Sequence, residues 1–574
     1  MKTPTHSCES PQFLCAQPMG WAAAAARVAD RIGLVKWLNA RVAWDPAQCH
    51  RSPGLRVWAL ILGFLIDPCA LYRMEELFEP LDCEVLFGAG VQAHDFTDDA
   101  LGRALLKLHA AHPAALFADL STHVRAVYDL EEAPEVHADT TSLTLQGAYA
   151  ATNNPIGTDP SPTTALLAPP LTAKPWWGYN KDGHPDCKQL VLGAVTRPDG
   201  IPIWVDVNDG NLDDTRWDRQ VLIALRESLT RFPDVLFVAD SKLINDETVD
   251  QMYRESIHFV SRLPNTYTLT TTAKMASAQA PSSNWTTVGR LARRPEGASY
   301  RIWETSGVVA GHTHRLVVVE SSALRAKAEA SITHDLETAA VRLDHAARKF
   351  SRQRFASEAD AHQAWETWQQ SQSALKWWAV QATLITGSRR RRRQGGGPLE
   401  TVIEWAWVVQ RQTVQQAWVE QEHLKRRTFV LIAHDSHRTA EELLAAYNQE
   451  WVVEGTHATL KGPLTVAPVF LKDPRKLTAY VYVVYMALLL WHVMQAVARR
   501  NALRWGVSLP YPNGQLQEAP STKRIKELLT PITLIRYRLQ NQTHRVLQDL
   551  TGVQRLTCLL LEIEPRQLAV VPSG

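Results

Sequence analysis

"EVHADTTSLTLQGAY", Glu135 to Tyr149, marks the point where the character of the chain changes. Upstream, "WAAAAARVADRIGLVKWLNARV" and "DDALGRALLKLHAAHPAALFADLSTHVRAVY" place apolar residues at helical period and are rich in alanine, so residues 1 to about 130 read as helical. The stretch at 135 is β-rich and predicts a strand. Downstream, "WGYNKDGHPDCKQLVLGAV" gives a turn and a strand, and "GIPIWVDVNDG" another strand. "DDTRWDRQVLIALRESLTRF" is a helix with an Asp/Thr start signal, and "PDVLFVADSK" is a short apolar strand bounded by proline and charge. "NDETVDQMYRESIHFVSRLP" runs from a helix into a further strand. The order is strand, strand, strand, helix, strand, helix, strand. It predicts an α/β fold in which three leading strands form a meander and the later alternation gives a parallel pairing.

From about 266 to 427 this pattern is interrupted. "YRIWETSGVVAGHTHRLVVVES" reads as a hairpin, and "SITHDLETAAVRLDHAARKFSRQRFASEADAHQAWETWQQ" as one or two charged helices. "WWAVQATLITGSRRRRRQGGGPLETVIEWAWVVQ" reads as two strands around a basic, glycine-rich loop. "TFVLIAHDS" then leads into "YNQEWVVEGTHATLKGPL", Tyr447 to Leu464. Read as one helix stopped by Gly462-Pro463, that last stretch places Tyr447, Glu450, Glu454, His457 and Lys461 on one stripe, in steps of three or four residues. Such a stripe is either the wet face of an amphipathic helix or one edge of a site.

The chain as a whole sets bounds. Its 574 residues suggest roughly three or four units. A hydrophobic fraction of 45% is normal for a globular protein, and a net charge of +2 excludes a uniformly basic surface. A polyanion would have to meet local basic patches. The cysteines, Cys8, Cys15, Cys49, Cys69, Cys83, Cys187 and Cys558, are odd in number and scattered, with no zinc spacing, and read as reduced thiols of a cytoplasmic protein. The first twenty residues lack a basic segment followed by an apolar run, so no signal peptide is expected. "TAYVYVVYMALLLWHVMQAVARR" is long enough to span a bilayer but contains His492 and Gln495, and reads as a buried core helix. No Gly-x-x-x-x-Gly-Lys-Ser/Thr loop is present.

Three carboxylates carry the chemistry. "VHADTTS" and "FVADSK" are apolar strands that run straight into Asp139 and Asp240, each followed by hydroxyls. With Glu454 on a helix crossing them, two such strand ends can hold hard divalent cations through oxygen. Two such ions can activate water and stabilise the leaving oxygen of a phosphodiester.

Four stretches together, "HADTTSLTLQGAY", "GYNKDGHPDCKQLVLGAVTRPDGIPIWVDVNDGN", "VADSK" and "YNQEWVVEGTHATLKGPL" with the following "FLKDPRKLTAYVYVVYMALLLW", resemble bacterial insertion-sequence transposases of the Asp-Asp-Glu class. The branch is the IS-four superfamily, which has a Tyr-Arg-Glu-Lys signature and a β-rich insertion. The resemblance spans most of residues 135 to 500. It implies a ribonuclease H-like catalytic core interrupted by a β-rich insertion with helices, plus an N-terminal helical domain. The expected division is 1–130 for a helical DNA-binding or dimerisation region, 131–265 for the first part of the core and 266–427 for the insertion. The last part of the core is then 428–500, and a helical C-terminal region 501–574. Asp139, Asp240 and Glu454 match the metal-binding triad, for two Mg²⁺ ions with Mn²⁺ able to substitute. Tyr447 and Lys461 match the outer signature residues, which contact the DNA backbone. Glu450 stands where the family has Arg, a departure that places a carboxylate near phosphate.

The resemblance implies cleavage at the terminal inverted repeats of an element and joining of the freed 3′ ends to target DNA, by a homodimer on double-stranded DNA. Two alternatives are a transposase-derived DNA-binding protein that no longer cuts and a Mg²⁺-dependent DNA nuclease. Other features are open. Lys181, Asp182, His184, Asp186 and Lys188 form either a tight polar turn or, through Lys181 and Lys188, a DNA contact. Arg389, Arg390 and Arg391, in the run to Arg393 before Gly395-Gly396-Gly397, are either a solvated loop or a phosphate contact. Lys523, Arg524, Lys526, Arg536 and Arg538, in helix-like sequence, could add to a basic footprint. His137 reads as a packing residue, and His312 and His314 alternate on a strand with no third ligand near in sequence.

Overall fold

The computed structural model describes residues 12–146, 171–229, 235–291, 297–392, 398–449, 451–464, 471–540 and 542–572. Two compact units result, one built from residues up to Leu243 together with Gln449 onward, the other from Ile244–Asn448.

The first unit opens with a strand, β1 (Gln12–Pro18), and seven helices: α1 (Gly20–Ile32), α2 (Leu34–Asn39), α3 (Pro53–Ile66), α4 (Met74–Phe78), α5 (Cys83–Phe87), α6 (Asp98–Ala110) and α7 (Pro113–Val127). The expected single helix at 21–42 is broken at Gly33, whose φ of 66° is a left-handed conformation that glycine adopts without steric cost. Then come β2 (Glu135–Leu145), β3 (Lys188–Thr196), β4 (Pro202–Asn208), α8 (Asp214–Leu229) and β5 (Leu236–Ala239). β3 pairs antiparallel with β2 and with β4, and β5 runs parallel to β2. This is the expected meander followed by a parallel strand. All residues of β3 and β5 are buried, the mark of strands covered on both faces. Trp217 of α8 donates Nε1–H to Asp206 of β4 at 2.8 Å, and the β3 residue beneath is Gly193, where a Cβ would lie 2.1 Å from that indole nitrogen.

The second unit contains α9 (Asp246–Arg254), β6 (Phe259–Arg262), α10 (Thr268–Gln279), β7 (Thr286–Arg290), β8 (Ser299–Val309), β9 (His312–Ser321), α11 (Ser322–Ser351) and α12 (Glu358–Ser371). It continues through β10 (Trp378–Arg392), β11 (Leu399–Val414), α13 (Gln416–Arg427), β12 (Thr428–His434) and α14 (Ala440–Tyr447). Strands β6, β12, β9, β8 and β7 lie side by side in that order, all antiparallel, and β10 with β11 forms a separate two-stranded ribbon. Tryptophans gather at the root of that ribbon. Trp365 stacks between Trp368 and Trp407, with ring centroids 5.2 and 5.1 Å away, and Trp378 donates to Leu336 O.

The chain returns to the first unit with α15 (Trp451–Lys461), α16 (Pro474–Trp505), β13 (Leu509–Pro510), β14 (Leu516–Gln517), α17 (Thr522–Leu529), β15 (Thr533–Leu539), β16 (Gln542–Leu547) and α18 (Gly552–Leu560). α16 starts at an Asp473 cap with Pro474 in the first turn and stops at Gly506. By length and composition it could cross a membrane, yet 89% of its apolar window is buried inside the protein. It packs on α3, α6, α7 and β4, and their side chains share one hydrophobic core. The N-terminal helices therefore have no separate core, which is why length overestimated the number of units. The C-terminal region is not wholly helical either, since β15 pairs with β1 and β16. Arg536 and Arg538 lie on β15. Arg536 faces Asp82 at 3.6 Å, Lys526 donates to Leu65 O and Ile66 O, and Arg524 pairs with Glu527, so these three cations are used internally. The described cysteines are free thiols.

In the second unit the third imidazole missing near His312 and His314 comes from another strand. Ala433 pairs with Arg315, so His434 and His314 are the next pair, 5.9 Å apart, and Tyr253 stacks on His312 at 3.8 Å. Burial, with His434 and His312 beside it, pushes His314 down to about 4. A histidine depressed below its unfolded value of 6.5 contributes stability above that pH and loses it as pH falls towards 4. The full loss is on the order of 3 kcal/mol. Melting curves between pH 7.5 and 4.5 should therefore show the second unit losing stability on acidification, and His314→Phe should flatten that loss. An equal acid loss in His314→Phe would remove His314 as its source.

Candidate active site

The parallel pairing of β2 with β5 aligns Val136 with Phe237, His137 with Val238 and Ala138 with Ala239. Asp139 and Asp240 are the next pair in that register, on neighbouring strands about 4.8 Å apart. The apolar run Leu236–Ala239 is wholly buried and ends where Asp240 begins, so the carboxylate emerges at the carboxyl end of a parallel strand. That is where open α/β sheets place their ligands. Asp240 accepts the backbone N–H of Lys242 at 2.8 Å, which fixes the turn leaving the strand.

α15 packs on β2, β3 and α16 and buries Val452, Val453, Thr456, His457 and Leu460, while Glu454 in its first turn is exposed. His457 Nε2 lies 3.9 Å from Asp139 Oδ2. Burial, aided by the nearby Lys181 and Lys461 ammonium groups, pushes this imidazole down to about 3. It is therefore neutral at physiological pH and adds no charge beside Asp139.

The polar turn after β2 folds back on that strand. Lys181 Nζ donates to Thr140 O and Thr140 Oγ1, both at 2.7 Å, and stands 3.7 Å from Asp139 Oδ1. Lys181 N donates to Ser142 Oγ at 3.1 Å. Thr144 donates to Asp182 at 2.9 Å and accepts from Asn180 at 3.0 Å. Asp182 also pairs with Lys461 at the end of α15. Hydroxyls at 140, 142 and 144 thus share one face of β2, by strand alternation, and hold the turn. An open polar cleft lies there, lined by Thr140, Ser142, Tyr179, Lys181, Asn211 and Lys242.

The structure brings Asp139 and Asp240 together and seats α15, with Glu454, on the same strand as Asp139. Among the described residues, no three His, Cys, Asp or Glu side chains converge closely enough to hold a metal ion. The donor type nonetheless fits: adjacent carboxylates are the hard oxygen ligands that Mg²⁺ and Mn²⁺ take. His137 is fully buried, a packing residue. Lys188 is buried as well, its ammonium 4.5 Å from the exposed Trp177 ring, rather than open to a phosphate.

The single-helix reading of 447–464 is corrected. α14 ends at Tyr447 and α15 begins at Trp451, so Tyr447 belongs to a separate helix of the second unit, 6.1 Å from Phe429 between ring centroids. Gly462-Pro463 does follow the end of α15. Glu450 lies outside the described residues. Arg389, Arg390 and Arg391 are on β10 of the second unit and are exposed. Thr140, Ser142, Thr144 and Lys242 were not singled out individually from sequence. The alternating hydroxyls of "TTSLT" were the available signal for the first three, and Lys242 closes the stretch "VADSK" that carries Asp240.

A family model described as "Transposase DDE domain" matches residues 139–490, more than half of the chain. The chain belongs to the DDE transposases. The match begins at Asp139 itself and runs into α16. A second model, "Domain of unknown function (DUF4277)", matches residues 19–122, the helices α1 to α7 in large part. No curated protein is similar to this chain in the comparison made with them.

If the β2 hydroxyls hold the 179–188 turn of this transposase, Thr144→Val keeps the strand but loosens the turn. Limited trypsin digestion should then cut after Lys181 several-fold faster than in the wild type. An unchanged rate would mean that the turn is held by other contacts.

Proposed function

We propose that this transposase binds the terminal repeats of its own insertion sequence, cuts there by phosphodiester hydrolysis and joins the freed 3′ ends to target DNA. The observation that carries the proposal is the parallel register that sets Asp139, midway along β2, beside Asp240 at the carboxyl end of β5, with Glu454 on a helix packed against β2. The antiparallel order β4-β3-β2 with β5 parallel to β2 supports a ribonuclease H-like core for 131–265 and 428–500, with 266–427 as its insertion. Tyr447, Glu454 and Lys461 support the branch with the Tyr-Arg-Glu-Lys signature, Glu450 standing at the Arg position. Two ends must be cut together, so the working form on DNA is a homodimer.

Asp139, Asp240 and Glu454 are the residues that would hold two Mg²⁺ ions, whose chemistry is to activate water and to stabilise charge on the phosphodiester oxygens. The chain itself does the remaining work. Asp139 is approached from one side by the Lys181 ammonium and from the other by the neutral His457, so its orientation is set before substrate arrives. Lys181 and Lys461 are cations at the same edge, each resting on an internal partner, and a DNA phosphate would compete for both. Partly exposed ion pairs contribute only about 0–1 kcal/mol, so this exchange is inexpensive.

Asp139→Asn, Asp240→Asn and Glu454→Gln should each abolish Mg²⁺-dependent nicking of an element end while leaving binding to that end largely intact. Each removes a ligand charge with little change in volume. Gel shifts and nicking assays on the same preparations check this, and a variant that cuts at the wild-type rate would take its residue out of the triad. Analysis of the wild-type products for end-to-target joints separates a transposase from a nuclease.

Lys461→Ala should weaken end binding and lower the salt slope of log K by roughly one unit, because one fewer counterion is released. Titrations across a salt series measure it. An unchanged slope would show that Lys461 stays on Asp182 when DNA is bound.

A further inference from the structure

The ribbon β10–β11 extends beyond the core that anchors its root. It pairs without a break from Val380 opposite Arg411 to Arg392 opposite Leu399. At about 3.3 Å per residue, its fifteen-residue strand β10 spans roughly 50 Å. The root is anchored: Trp407 donates to Ala361 O at 2.8 Å, Arg411 pairs with Asp344 at 2.9 Å, and Trp405 and Val409 pack with the α11–α12 core. The distal half is not. From Gly387 to Arg392 every residue of β10 is exposed, as is every residue of β11 from Leu399 to Ile403. An isolated two-stranded ribbon is marginal in water, so a bare one of this length needs something to lie against.

Its chemistry says what. Arg389, Arg390, Arg391 and Arg392 are consecutive, so they alternate between the two faces of the ribbon. Their cross-strand neighbours are Val402, Thr401, Glu400 and Leu399, of which only Glu400 can offset charge. Among them stand exposed apolar side chains, Leu399 at 62% and Ile403 at 60%. A membrane or a protein surface would engage one face and leave two of the four arginines in water. In a groove, the face carrying Arg390 and Arg392 with Leu399 and Ile403 turns to the floor. The long side chains of Arg389 and Arg391, on the other face, can reach over the ribbon's edges to the phosphates of the two walls. The major groove of B-DNA, about 12 Å wide, admits a two-stranded ribbon as it stands, whereas the minor groove, about 6 Å wide, takes one only after costly kinking and widening of the duplex.

We propose that the distal ribbon is a DNA arm of the second unit. It lies in the major groove of duplex DNA, with Arg389–Arg392 on the phosphates of both walls and Leu399 and Ile403 against the base edges. The grip is mostly on phosphate and therefore largely independent of sequence. The proposal rests on the reading of the protein as a DNA enzyme, and adds a contact borne by residues other than the carboxylates and lysines of the first unit.

The test uses the full chain and a mixed-sequence 30-base-pair duplex without element ends, titrated by fluorescence anisotropy across a salt series. Replacing Arg389–Arg392 together by Gln should lower the salt slope of log K by about 3.6 units, from a contribution of about 0.9 for each of four phosphate contacts. Replacing all four by Lys should keep most of the slope. Guanine N7 methylation by dimethyl sulfate should be protected in the wild-type complex, and that protection should be lost with the Gln variant. Circular dichroism and melting of the Gln variant should match the wild type, since the substituted residues are exposed. A Gln variant that keeps the parent's slope, or N7 positions that stay unprotected, would overturn the arm while leaving end cleavage by the carboxylates standing. A wild-type chain that binds anionic phosphatidylserine vesicles but not the duplex would overturn both the arm and the DNA reading.

Discussion

The parallel register between β2 and β5 is the constraint on which the site depends. Strand side chains alternate faces, so a slip of one residue would turn Asp240 away from Asp139 and set an alanine in its place. Burial prevents the slip. Leu236, Phe237, Val238 and Ala239 are all buried, and Leu236 N donates to Pro134 O at the start of the pairing. A slip that drew Asp240 into the buried positions would strip water from its carboxylate, a cost of several kcal/mol. The same sheet is tied on its outer side by Trp217 on Asp206, above a β3 position that only glycine can occupy. Burial there pushes the Asp206 carboxyl up to about 6, a cost borne for the hydrogen bonds from Trp217 and Asn208.

Around this fixed pair, the polar groups form a network of exchangeable partners. Lys181 is held by Thr140 and approaches Asp139, and Asp182 is shared by Thr144 and Lys461. The turn, the strand and the end of α15 are joined through groups that a phosphate backbone could displace. The buried His457, held neutral chiefly by burial, lies under the network.

Much of this was legible in the sequence, for identifiable reasons. Strands such as β3 and β5 are apolar runs bounded by turn residues, so the meander and the strand ending before Asp240 could be read directly. β2 instead runs on past Asp139 to Leu145, because its hydroxyl-bearing residues still pair with β3. The hairpin β8–β9 and the ribbon β10–β11 were visible from their alternating residues. What was missed depended on tertiary contacts or on single backbone positions. The break between Tyr447 and Trp451 interrupts an otherwise continuous helical period, with no glycine or proline to mark it. β1 forms only because β15 pairs with it from more than 500 residues away. His434 reaches His314 through cross-strand register, which spacing along the chain cannot show. Lys188 looked available because it follows a polar turn, but it is the first residue of a strand whose both faces are covered.

The most direct test of the central claim, that Asp139, Asp240 and Glu454 form one divalent-cation site, is to replace the metal with Fe²⁺ and cut the chain with the radicals it generates in ascorbate and peroxide. Backbone cleavage confined to the neighbourhoods of Asp139, Asp240 and Glu454, and suppressed by excess Mg²⁺, is the result this account requires. Cleavage near only one of them, or at sites elsewhere that Mg²⁺ protects equally, would contradict it.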